Sequence, residues 1–247
     1  MTGPITPILL DLLDSEAGEE TALAGQASPE QRVSGTYERW TLLDTLAHCA
    51  AWKLRTARRQ SDWLAGRDLP DEGELEDANQ AIYAECKIYS WDDLLAKLAL
   101  AHAAARRVVM DAGEERLLLP GPSGAPFWTG PAGNAFWHPL YHPSAWLFER
   151  GERECAITLL ETARRKLEGL PVHPRVHGLA AYDCAVLLLR DGKQARGQVA
   201  LREAFARAPR LREWAAQDPD LAGLYVEEGI HHEEHEGHKG GEESSTG

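Results

Sequence analysis

In NAFWHPLYHPSAWLFERGE, residues 134–152, His138 and His142 stand four apart, and each is followed by a proline. On a helix that spacing places both imidazoles on one face, which suits two ligands of a metal ion and equally suits two packed aromatic rings. A metal site needs a further ligand from elsewhere in the chain. WTLLDTLAHCAAW, residues 40–52, offers His48, with Trp40 eight residues before it and Trp52 four after. A helical histidine between aromatic residues is ordinarily a packed core group, so spacing alone leaves both readings open.

The elements that must position these residues read as helices throughout. Apolar residues recur at three- and four-residue intervals and strand-type alternation is almost absent, which predicts an all-α fold. A first helix is expected over residues 5–23. A second starts at Thr41, with Asp44 in its first turn, and presents Leu42, Leu46, Cys49, Leu54 and Trp63 before Gly66 stops it. A short helix carries Asn79, Ile82 and Tyr83; Ser90 then caps a long helix over 91–112, with Asp92 and Asp93 in its first turn. Residues 117–134 hold four Pro and four Gly and are expected to form a long irregular loop. The histidine helix is expected to be capped near Asn134, with Pro139 in its first turn and Pro143 kinking it.

Beyond Gly151 a spacing repeats. Ala185, Gly192, Gly197 and Ala204 fall at seven-, five- and seven-residue intervals before Pro209, and Ser144, Gly151, Ala156 and Ala163 keep the same intervals upstream. The downstream unit resembles one tetratricopeptide repeat, whose two antiparallel helices need small side chains where they cross. The units lie 41 residues apart, longer than the family's ~34, and the excess falls in GLPVHPRV. In this register the histidine helix doubles as the first helix of the upstream unit, and residues 210–225 supply a final covering helix. From Glu227 the chain carries seven acids against one Lys and is expected to be a disordered tail. Its His231, His232, His235 and His238 form a composition that binds transition metals loosely, although a solvated tail is the simpler reading.

Taken together, Trp40, Asp44, His48 and Trp52 at four-residue steps, followed some 90 residues later by His138 and His142, resemble the DinB-like superfamily of four-helix bundles. ANQAIYAECKIYSWDDLLAKLALAHAAARRVV is most similar to the branch named for DfsB and ClbS. The resemblance covers residues 5–151 and implies a bundle over 1–151, with 152–226 as a tetratricopeptide-like extension and 227–247 as the tail. It implies that His48, His138 and His142 hold one divalent metal. It also implies an enzyme that transfers a low-molecular-weight thiol, or water, to a small electrophile in stress or detoxification. Three neutral imidazoles leave a tetrahedral zinc with an open position, the catalytic arrangement. Zinc or nickel is the expected cofactor, and iron is also compatible with imidazole. No general base stands beside the last ligand, where the neighbours are Tyr141 and Ser144. His102 is expected in a buried or supporting role, Asn79 and Tyr83 as pocket lining, and Trp128 and Trp137 as a substrate wall.

Composition narrows the partners. A formal charge of −13 over 247 residues, with no basic run, argues against nucleic acid. No apolar run is long enough to span a bilayer, and the first twenty residues lack a signal peptide's basic start and apolar core, so a cytoplasmic protein acting on a small molecule is expected. Cys49, Cys86, Cys155 and Cys184 show no paired spacing and read as reduced core thiols. The competing expectation is a non-catalytic interaction protein whose repeats dock a peptide or pair two copies in a homodimer.

Overall fold

The computed structural model describes residues 3–69 and 73–221. Among them every regular element is helical, and extended pairing is limited to two isolated bridges, Thr36 with Arg39 and Pro120 with Pro126. The all-α expectation holds. The helices are α1 (Ile5–Gln26), α2 (Leu42–Leu64), α3 (Leu75–Cys86), α4 (Trp91–Leu118), α5 (His138–Glu149), α6 (Arg153–Leu167), α7 (Leu179–Arg190), α8 (Gln194–Arg207) and α9 (Leu211–Ala215). None of them is long and apolar enough to cross a membrane.

Caps explain where the first helices begin and end. Thr41 and Asp44 form a reciprocal box at the start of α2: the Thr41 N–H donates to Asp44 Oδ2 at 2.9 Å, and the Asp44 N–H donates to Thr41 Oγ1 at 3.4 Å. The same carboxylate accepts from Ser34 Oγ and the Gly35 N–H, both at 2.7 Å, and so ties the incoming chain to the helix. Gly66, at φ 66°, ends α2 in the left-handed conformation that a side chain disfavours. Ser90 and Asp93 make a second box at the start of α4. That helix breaks at Gly113 (φ 64°, ψ 171°), one residue past its expected end. The break turns Glu114 onto the start of α1, where Pro4 provides no side-chain cap. There the carboxylate accepts from the Ile5 and Thr6 N–H groups at 2.6 and 2.9 Å.

Three expectations need correction. The stretch 117–134 is not irregular throughout, because α4 continues to Leu118 and helical turns resume at Thr129. The histidine helix is not capped at Asn134; that residue lies inside a wide π-helical turn, Pro131–Trp137, that runs directly into α5. Pro131 occupies the first turn, where its missing N–H costs nothing, so this proline opens a helix. Among the described residues, which reach Leu221, the expected final helix over 210–225 is interrupted. It comprises α9 and a single 3-10 turn at Pro219–Leu221, because Pro219 cannot continue it. Residues 222–247, including the four tail histidines and the expected disordered tail, lie outside the described residues.

Helices α1, α2, α4 and α5 pack against one another, with α3 lying on α2. Helices α5 and α6 form one antiparallel hairpin and α7 and α8 another, and α6 packs on α7. The repeated small positions sit where these hairpins are tightest. Ser144, Ala156, Ala163, Ala185, Gly197 and Ala204 are all buried, while Gly151 (φ 88°) and Gly192 (φ 75°) make the two turns. A Cβ on Gly197 would stand 2.5 Å from Leu189 Cγ, so that crossing requires glycine. One apolar cluster runs from Ile5 and Leu9 through Phe136 and Leu160 to Leu201 and Leu221. A second joins Leu43, Leu46, Ile82 and Leu94.

Candidate metal centre

His48 lies on the buried face of α2, between Leu46 and Ala50, and is 4% exposed. His138 and His142 come from the first turns of α5. Pro139 and Pro143 offer no N–H to the preceding turn, which frees carbonyls there, and the chain enters α5 in the wider register, with the His138 N–H bonded to Gly133 O. Helix α5 packs on α2, and this brings the three rings together.

His138 Nε2 and His142 Nε2 are 3.0 Å apart, and one ring nitrogen from each of the three histidines lies within 4.8 Å of the others. Ring centroids are separated by 4.7 Å for His48 and His142, 5.2 Å for His48 and His138, and 4.4 Å for His138 and His142. Burial, reinforced by the His142 ring, pushes His48 down to about 3; burial alone pushes His142 to about 4. His138 is held well below the usual range, by burial first and then by its two histidine neighbours. All three are therefore neutral at pH 7, the protonation state of a metal ligand.

The donor set fits a divalent ion. Ligand nitrogens about 2.0–2.1 Å from a tetrahedral ion stand about 3.3 Å from each other, a spacing inside the range these three rings span. Three neutral nitrogens bring lone pairs to one small volume that holds no carboxylate of the group, so a positive centre is what the cluster would attract. The Nδ1 atoms of His48 and His138 are buried without a partner.

Aromatic rings wall the group. Trp40 lies 4.8 Å from His48 and 6.3 Å from His142; Trp52 lies 6.3 Å from His48 and 6.2 Å from His138. Tyr83 stacks on Trp40 at 6.4 Å and donates its hydroxyl to Gly35 O at 3.0 Å, while Asn79 Oδ1 accepts from Trp52 Nε1 at 3.1 Å. Asn79 and Tyr83 thus support the walls. A cavity of about 710 Å³ reaches His142 past Trp40, Thr45 and Trp146, with Arg39 and Arg150 also lining it.

The remaining expected residues lie apart from this group. His102 sits on α4 with Nε2 3.2 Å from Asp14 Oδ1. Trp128 is buried against His173 and His177, at 5.9 and 6.3 Å. Trp137 donates Nε1 to Asp183 Oδ2 at 2.7 Å, which turns its indole toward α7. Neither indole meets a ring of the triad. Cys49, Cys86 and Cys184 are buried free thiols, whereas Cys155, expected in the core, is exposed at the start of α6. Two buried ionisable features have no counterpart among the expected residues. Lys53 donates to Glu16 at 2.9 and 3.0 Å and to Glu20 at 2.6 Å, all three side chains lying in the interior between α1 and α2. Asp183 is pushed up to about 7 by burial, despite its bond from Trp137. The signal for the lysine cluster in the sequence is polar residues at core positions: Glu16 and Glu20 on the Leu9–Leu13 face of α1, and Lys53 one turn from Cys49 and Ala50.

No family model, no curated protein and no solved structure matches the chain.

Proposed function

We propose that the chain is a metal-dependent enzyme of the DinB-like type, in which His48, His138 and His142 hold one divalent ion, zinc or nickel foremost. It transfers a low-molecular-weight thiol, or water, to a small electrophile. The observation that carries this reading is the convergence of three neutral imidazoles from α2 and α5. When bound, such an ion lowers the pKa of a bound water to about 7 or deprotonates a bound thiol, and polarises the electrophile. The chain's own part is to fix and dry the site. Trp40 and Trp52 cover the imidazoles, Asn79 and Tyr83 hold those indoles in place, and the cavity beside His142 admits a small molecule. Packing of α1, α2, α4 and α5 supports the four-helix bundle of this reading, and the two hairpins with small crossing residues support the tetratricopeptide-like extension.

Elemental analysis tests it, on a full-length chain whose four tail histidines are replaced by alanine. The expected result is about one divalent metal per chain, with most of it lost in a further His48→Ala change. A metal-free chain, or metal content indifferent to His48, overturns the reading. The repeated hairpin geometry would then favour the competing one, a helical interaction protein.

A further inference from the structure

The cavity of about 710 Å³ beside His142 falls within the size range of small-ligand sites, and four of its lining residues are charged: Glu38, Arg39, Glu149 and Arg150. Glu149 is already matched, because Arg190 Nη2 donates to its Oε1 at 2.5 Å. Among the described residues neither Arg39 nor Arg150 pairs with an acid, and Glu38 pairs with no cation. Two free guanidinium groups therefore stand against one free carboxylate. The rim of this cavity is net positive on a chain whose formal charge is −13.

Both arginines are exposed at the rim, and the backbone anchors each of them. Arg39 exchanges two backbone hydrogen bonds with Thr36, at 3.0 and 3.3 Å. The Arg150 N–H donates to Leu147 O at 3.1 Å, just before the Gly151 turn. The Arg150 guanidinium lies 4.1 Å over the Trp146 ring. That contact occupies its face and leaves its N–H fork for an oxyanion, which a planar carboxylate fits with two parallel bonds. Trp40 and Trp146, both half-buried, supply apolar surface farther in, where His142 lines the same cavity.

Resting on the reading of the three histidines as a metal site, we infer that the substrate this cavity admits is a carboxylate with a flat apolar body. Its carboxylate meets the Arg150 fork and the Arg39 charge at the rim, and its body lies against Trp40 and Trp146 on the way to His142. A cation of the same shape would meet two guanidinium groups and find a single free acid, Glu38. A neutral molecule would leave the fork without an anion.

Calorimetric titration of the full-length protein with phenylacetate at neutral pH tests this, with phenylacetamide and phenethylammonium as matched probes. Saturable phenylacetate binding is expected, at least about tenfold tighter than either control. Arg150→Gln should weaken it about tenfold or more, with helical circular dichroism and metal content unchanged. Glu38→Gln, which removes the one opposing charge, should tighten it by about twofold to threefold. His48→Ala, or the unaltered chain stripped with a chelator, should keep the anion. Equal affinity for phenylacetamide, indifference to Arg150→Gln, absence of saturable heat, or loss of the anion together with the metal, which would put the carboxylate on the ion, would overturn the inference. A chain that holds no metal yet binds phenylacetate through Arg150 would overturn the metal reading alone.

Discussion

Lys53 is the side chain whose removal should cost most. Burial works against its charge, but Glu16 and Glu20 outweigh that and raise its pKa, while burial and then Glu20 lift Glu16 well above the carboxylate range. Lys53→Met would leave two carboxyl groups in an apolar interior with no cation. It should destabilise the protein by about 3–5 kcal/mol, read as a lower urea midpoint, and replacing all three with Met and Leu should recover most of that loss. Asp44 matters for a different reason, because it holds the segment that carries Trp40 as well as capping α2. Asp44→Ala should cost about 1–2 kcal/mol and loosen the Trp40 wall, seen as altered tryptophan fluorescence. Residues with local jobs are readable in the sequence, among them Thr41 with Asp44 and the His138–His142 step. The Lys53 cluster shows in the sequence only as polar residues at core positions; its pairing is not readable, because the partners lie 37 and 33 residues away and meet only once the bundle is assembled.

Among the elements, helix starts are legible because capping is written within four residues, as at Thr41 and Ser90. The entry into α5 is harder to read because proline carries two opposite meanings: Pro131 begins a helix, whereas Pro143 interrupts its bonding. Glycine is just as dependent on position. Gly18, exposed in mid-α1 with nothing within 4 Å of the place a Cβ would occupy, should give way to alanine with a gain of about 0.5–1 kcal/mol. The same propensity gain applies at Gly197, yet there the new methyl group would press on Leu189, and overpacking of about 1–3 kcal/mol wins. Thermal melts of Gly18→Ala and Gly197→Ala should therefore shift in opposite directions. The hairpin positions themselves are visible as a seven–five–seven spacing, since close helix crossings admit only small side chains.

At the scale of the whole molecule, the apolar cluster joins α1 to Leu221, so the described helices should unfold together. Coincident denaturation curves by circular dichroism and tryptophan fluorescence would show it. Acid is the weak side of the fold. His48, His102, His138, His142, His173 and His177 all have folded pKa values below the ordinary ~6.5. Their contribution is complete above that value and is lost as pH falls through the folded values, because the unfolded chain then binds more protons. Asp183 and Glu16, raised by burial, act in the opposite sense, and their contribution declines as pH rises toward their folded values. The histidines therefore make stability fall as pH drops below ~6.5, measurable as melting temperature against pH. Such long-range consequences are not legible in the sequence, because burial decides them. Helix α5 adds a mechanical one: it belongs at once to the imidazole cluster and to the first hairpin, and Trp137 at its entry is bonded to α7. A shift of α7 would therefore bear on the turn that aims His138, so that strain placed on the second hairpin is felt at the imidazole cluster.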